Sequence, residues 1–113
     1  MSVASDHPVV HPFRATVQMD DRLVDVRVTG EVDAAAADEF AQLLAAASDQ
    51  RAEVGLHLDE VTFLDSAALR VIVRAACAIR DRGGRLRLRG CSEVARQVLQ
   101  TSGLYDVLRT GAA

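Results

Sequence analysis

Apolar residues alternate with polar ones at Val24, Val26 and Val28, again at Val54, Leu56 and Leu58, and again at Leu86 and Leu88. Between those stretches they recur at helical spacing instead: Phe40, Leu43, Leu44 and Ala47, then Leu69, Ile72, Val73, Ala76 and Ile79. A period of two marks a strand with one buried face, and a period near 3.6 marks a helix with one buried stripe. Strand–helix–strand units of this length favour parallel pairing through right-handed crossovers. This pattern restricts the chain to an α/β fold, a sheet with helices packed on it.

The flanks complete the expected order. Phe13, Ala15, Val17 and Met19 alternate ahead of the first unit, and Asp20 and Asp21 supply the turn of a hairpin. The run "AAAADEFAQLLAAAS" (34–48) is rich in strong helix formers, with Asp33 where an N-cap belongs. Gly83 and Gly84 end the second helix. Ser92 can cap a last helix that carries Val94, Val98 and Leu99 and ends at Gly103. The expected order is therefore β-β-α-β-α-β-α, a small mixed sheet in one domain over 13–110. A poorly ordered tail with two His-Pro pairs is expected over 1–12, and a short one over 111–113. A chain of 113 residues is long enough for such a core without staples.

The topology directs attention to one edge of the sheet. If the strand ending near Thr29 and the strand ending near Leu58 run parallel, the loops after them emerge on the same rim. Sites in open α/β sheets form at the carboxyl ends of the strands. Asp33 and the pair Asp65-Ser66, each at the start of a helix, then share that rim. Free N–H groups at two helix starts favour anionic groups there. The stretch "FLDSAALRVIV" (63–73) puts a carboxylate and a hydroxyl between two apolar segments. Asp65 or Ser66 can cap the second helix; alternatively, Ser66 is a hydroxyl presented to a partner.

Other chemistries find less support. A nucleophile elbow needs glycines two residues either side of the serine, where this chain has Leu64 and Ala68. A hydrolase would need a Ser66–His57–Asp59 triad. His57 and Asp59 share a strand face but make too few ligands for a metal site, so no metal, cofactor or catalytic residue is expected. Cys77 and Cys91 lack metal or redox spacing and read as reduced packing residues. No glycine-rich phosphate loop is present. Arg85, Arg87 and Arg89 read as a solvated strand face, since the net charge is −3 and no aromatic interleaves, so no nucleic-acid partner is expected. The start of the chain lacks the basic and long apolar segments of a signal peptide, and no run of eighteen apolar residues occurs, so a cytoplasmic protein without membrane insertion is expected.

Four segments, "VTGEVDAAAADEF" (28–40), "VTFLDSAALRVIV" (61–73), "RGGRL" (82–86) and "TSGLYDVL" (101–108), resemble in order and separation the STAS-domain anti-sigma factor antagonists of bacteria. The resemblance spans roughly residues 13–109 and implies a non-enzymatic partner-switching module in transcription regulation and stress response. In that family the unphosphorylated antagonist binds an anti-sigma factor that is also a serine kinase using ATP and Mg, and so frees the sigma factor. Phosphorylation ends binding, and a PP2C-type phosphatase resets the switch. The family's phosphorylated serine directly follows the Asp of its D-S motif, which here makes Ser66 the phosphorylation site. Its acidic loop residue matches Asp33, and the implied partner surface comprises Glu31, Asp33, Asp65, Ser66, Ala67, Ala68 and Leu69. The chain departs from the family where Ala67 and Ala68 replace the usual Ser/Thr and Gly. A second expectation keeps the fold but makes the chain a stand-alone STAS subunit of a membrane complex, such as a lipid-trafficking ABC transporter.

Overall fold

The computed structural model describes residues 11–111. Strands β1 (Arg14–Met19), β2 (Leu23–Val32), β3 (Glu53–Leu64) and β4 (Arg85–Cys91) form one sheet in that order. The pair β1/β2 is antiparallel, and β2/β3 and β3/β4 are parallel, as crossover connections require. Helices α1 (Ala37–Gln50) and α2 (Ser66–Asp81) provide the crossovers, and α3 (Glu93–Thr101) follows β4. The expected order then continues by one element, α4 (Leu104–Thr110), beyond the glycine that reads as a stop. Gly103 does end α3, but with φ +81° it turns the chain sharply enough for a new helix to start at the next residue.

Alternation does what the strand pattern requires. Val24, Val26 and Val28, with Val54, Leu56, Leu58, Leu86 and Leu88, point into one core and are almost fully buried. Asp25, Arg27, His57, Asp59 and Arg87 fall on the opposite polar side. The core closes against Phe40, Leu44 and Ala47 of α1, Ala95 and Leu99 of α3, and Leu108 of α4. On α2 the buried stripe runs through Ala68, Ile72, Ala76 and Ile79, so it lies slightly to one side of the expected Leu69–Val73 line. Leu69 is half-buried, and Val73 is left 38% exposed.

The hairpin turn follows from Asp20, whose Oδ1 accepts from the N–H groups of Arg22 at 2.8 Å and Leu23 at 2.9 Å. Those two bonds hold its carboxyl below the usual carboxylate range. The tail expected over 1–12 lies outside the described residues except for His11 and Pro12. The His11 carbonyl accepts from the Glu31 N–H at 2.8 Å. That crossing needs Gly30, where φ is +87° and a Cβ would sit 2.1 Å from the Pro12 carbonyl oxygen.

Candidate functional site at the carboxyl rim of the sheet

The sheet register places the two loops side by side. Glu31 pairs with Phe63 and Val32 with Leu64, so β2 and β3 end level with each other. The Asp65 N–H then donates to the Val32 carbonyl at 3.4 Å, extending the pairing by one bond into the loop. β3 outruns β4, whose pairing stops at Leu58–Cys91. Ser92 reaches back across the gap, its hydroxyl donating to the Val61 carbonyl at 2.6 Å while accepting from the Ala95 N–H at 3.2 Å. The same side chain thus caps α3 and fixes that helix against the exposed end of β3.

Asp65 and Ser66 divide the two roles open to them. Asp65 is the N-cap of α2: its Oδ1 accepts from the Ala68 N–H at 3.0 Å. Its Oδ2 accepts from the Ala34 N–H at 3.1 Å, across the loop after β2. One carboxylate therefore ties both rim loops together through two backbone donors. Ser66, the first residue of α2, is exposed and its hydroxyl makes no hydrogen bond among the described residues. The cap belongs to the acid, and the hydroxyl is left free.

Asp33 differs from the expectation. α1 begins at Ala37, its N-cap is Ala36, and no side chain caps it. Asp33 instead accepts from the Ala36 N–H at 3.2 Å, closing a turn over residues 34–36 that precedes the helix. The alanine run is helix-forming throughout, but the turn orients Ala34 toward Asp65, and tertiary hydrogen bonding outweighs local propensity there. Asp33 and Glu31 remain half-buried beside Asp65, so the rim is acidic.

Of the remaining expected contacts, Ala67 is half-buried at the mouth of a groove between α1 and α2 of about 400 Å3. Leu69 lines a second groove, against Val98 and Thr101 of α3. Ala68 is a correction: it is fully buried in the core, so it can support the rim but presents no surface to a partner. Phe63, although it stands in the apolar segment before the joint, is 47% exposed beside Glu31. Adjacent apolar residues cannot both face the core of a regular strand, so the pair Phe63-Leu64 carried the signal that one must face outward.

Residues proposed for other chemistry are not assembled here. His57 Nε2 lies 2.8 Å from Asp25 Oδ1 on the polar side of the sheet. Leu64, just before the Asp65-Ser66 joint, is seven residue steps further along β3, about 23 Å at roughly 3.3 Å per residue, so the Ser66–His57–Asp59 triad does not form. Cys77 and Cys91 are both free and half-buried. Burial, followed by the nearby charge of Asp59, pushes the Cys91 thiol up to about 11. Among the described residues no helix is long and apolar enough to cross a membrane.

Comparison with known proteins gives a consistent picture. The STAS domain family matches residues 14–113. The anti-sigma-B factor antagonist of Bacillus subtilis (strain 168) is 27% identical over 96 residues, covering 85% of this chain and 88% of that protein. The solved structure of the anti-sigma factor antagonist SpoIIAA in its unphosphorylated form superposes with a TM-score of 0.72 at 23% identity, covering 82% of this chain and 84% of the other. The Bacillus cell fate determinant SpoIIAA in the phosphorylated form gives 0.66 at 24% identity, covering 80% and 85%. At these identities the two structures establish the fold.

Proposed function

The chain belongs to the STAS domain family, and from that premise we propose that it is an anti-sigma factor antagonist switched by phosphorylation of Ser66. The observation that carries this reading is the division of labour at the joint: Asp65 does all the capping, so the exposed Ser66 hydroxyl is free to react without loss to the fold. The similarity to the Bacillus subtilis anti-sigma-B factor antagonist supports the antagonist role within this reading. In this reading the unmodified protein binds an anti-sigma factor that is also a serine kinase, and the sigma factor is released. The kinase supplies ATP and Mg, and this chain needs no cofactor of its own. Transfer of the γ-phosphoryl group to Ser66 Oγ expels ADP, and the hydroxyl proton is lost to the kinase or to water. A PP2C-type phosphatase reverses the step by hydrolysis, and the cycle runs in the cytoplasm.

Elementary electrostatics explains how one modification could end binding. A phosphoserine carries about −1.5 to −2 charges near neutral pH. At the start of α2 that charge is favoured by the helix dipole, so the domain should stay folded. The rim already holds Glu31, Asp33 and Asp65, and a partner must desolvate the added dianion to cover it. The loss therefore arises in the interface.

The test is to incubate the purified protein with ATP and each candidate anti-sigma factor kinase of its organism and to map the modified residue. Ser66→Ala should bind its kinase in the presence of ATP without being released. Ser66→Glu should bind poorly yet unfold at the same temperature as the unsubstituted protein. Modification elsewhere, or none, refutes the reading. Recovery of a membrane permease in place of any kinase would assign the chain to a transport complex.

A further inference from the structure

Helix α2 carries Arg70 one turn beyond Ser66, at i+4, where side chains stand one above the other on the same face. Arg70 is exposed and lines the α1/α2 groove together with Ala67 and Asp38. Other arginines at the far end of the helix are paired, Arg80 with Asp81 at 3.5 Å and Arg82 with Asp49 at 2.9 Å. Arg70 makes no ion pair and no side-chain hydrogen bond among the described residues. Side chains on a helix lean toward its N-terminus, so a residue at position 70 is placed to reach back toward the turn that holds Ser66.

We propose that Arg70 is the built-in counter-charge of phosphorylated Ser66, its guanidinium gripping the phosphoryl oxygens from one turn along α2. The proposal rests on the reading of Ser66 as the modified residue and adds how the modified state is held. The charges around the hydroxyl are asymmetric. Glu31, Asp33 and Asp65 repel a phosphate from the loop side, and Asp38 approaches from the first turn of α1. Arg70 attracts it from within α2, and Arg74 stands a further turn away. The phosphate accordingly swings off the acidic rim onto α2. A guanidinium can hold two phosphate oxygens at once with fixed geometry, which a lone helix terminus cannot do. The modified switch then has a defined shape, a phosphate pinned at the helix start where a partner must pass.

The contact can be read without any kinase. Phosphoserine is installed at position 66 during translation, and the second ionisation of the phosphate, near about pH 6, is followed by phosphorus NMR. A nearby cation favours the dianion, so removing it moves the midpoint upward. In Arg70→Gln the midpoint should lie about half a pH unit above that of the otherwise unsubstituted phosphoprotein. Arg74→Gln should leave it unchanged, because that residue lies roughly 12 Å along the helix from Ser66. Equal midpoints with and without Arg70, or an equal shift on removing Arg74, would overturn the proposal. Since the phosphate is introduced independently of any kinase, failure of kinases to modify Ser66 would count against the functional reading alone.

Discussion

The double role of Asp65 makes a graded prediction. Its two oxygens accept from different backbone donors, Ala68 at the start of α2 and Ala34 in the neighbouring loop. Replacing a capping Asp by Ala costs about 1 kcal/mol, and losing the second bond, to Ala34, adds about 1 kcal/mol more. Asp65→Ala should therefore destabilise the fold by about 2 kcal/mol, a fall in Tm of roughly 8–16 °C for a domain of this size. Asn has one carbonyl oxygen where Asp has two acceptors, so Asp65→Asn can keep one of the bonds but not both. It should fall about midway, roughly 4–8 °C below the unsubstituted protein. Thermal unfolding followed by circular dichroism measures both steps, and amide exchange at Ala34 shows which bond Asn gives up. Asn equal to Asp would mean that the bridge to Ala34 contributes nothing. A shift under about 2 °C for Ala, well below what one cap is worth, would refute the structural role altogether.

Further outcomes follow from the same packing. Leu108 is 1% exposed, so Leu108→Ala should cost about 2–5 kcal/mol in urea unfolding; a change below about 0.5 kcal/mol would show that α4 is a surface appendage. Gly30→Ala must adopt positive φ and drive a methyl group into the Pro12 carbonyl, a loss of at least about 1–2 kcal/mol, and an unchanged urea midpoint would contradict that geometry. With Cys77 replaced by Ser, Cys91 should alkylate slowly at pH 8, its thiolate about a hundredfold scarcer than for a thiol ionising at 9.0. Because the folded thiol holds its proton more tightly than the unfolded one, the stability it contributes is complete below pH 9 and is lost as pH rises toward 11. Alkylation as fast as that of a free thiol would contradict the burial of this group.

Sequence and structure share the explanation unequally. Strands β2, β3 and β4 and helices α1 and α2 were legible because each repeats its buried residues over several periods, and a repeated period leaves little choice of face. The common rim was legible too, since parallel pairing sends the loops after β2 and β3 the same way. Helix α4 was not. It is seven residues long, and only Leu108 among them is fully buried, so it has no period to read. The start of α1 was hidden for a different reason. Four alanines in a row carry no information about which of them is helical, and the hydrogen bond from Ala34 to a residue 31 positions away decides it.

The pair Asp65-Ser66 marks the same boundary between the two kinds of information. The sequence by itself determined that a carboxylate and a hydroxyl meet at the joint of a buried strand and a helix, because hydrophobic periodicity is local and survives without knowledge of neighbours. Which of the two caps the helix, and which stands free on the rim, depended on a donor from another loop. Asp65 has two acceptor oxygens and the tertiary fold brought it two donors, Ala68 and Ala34. That arrangement occupies the acid fully and leaves the hydroxyl of Ser66 available for chemistry, a division that only long-range packing can make.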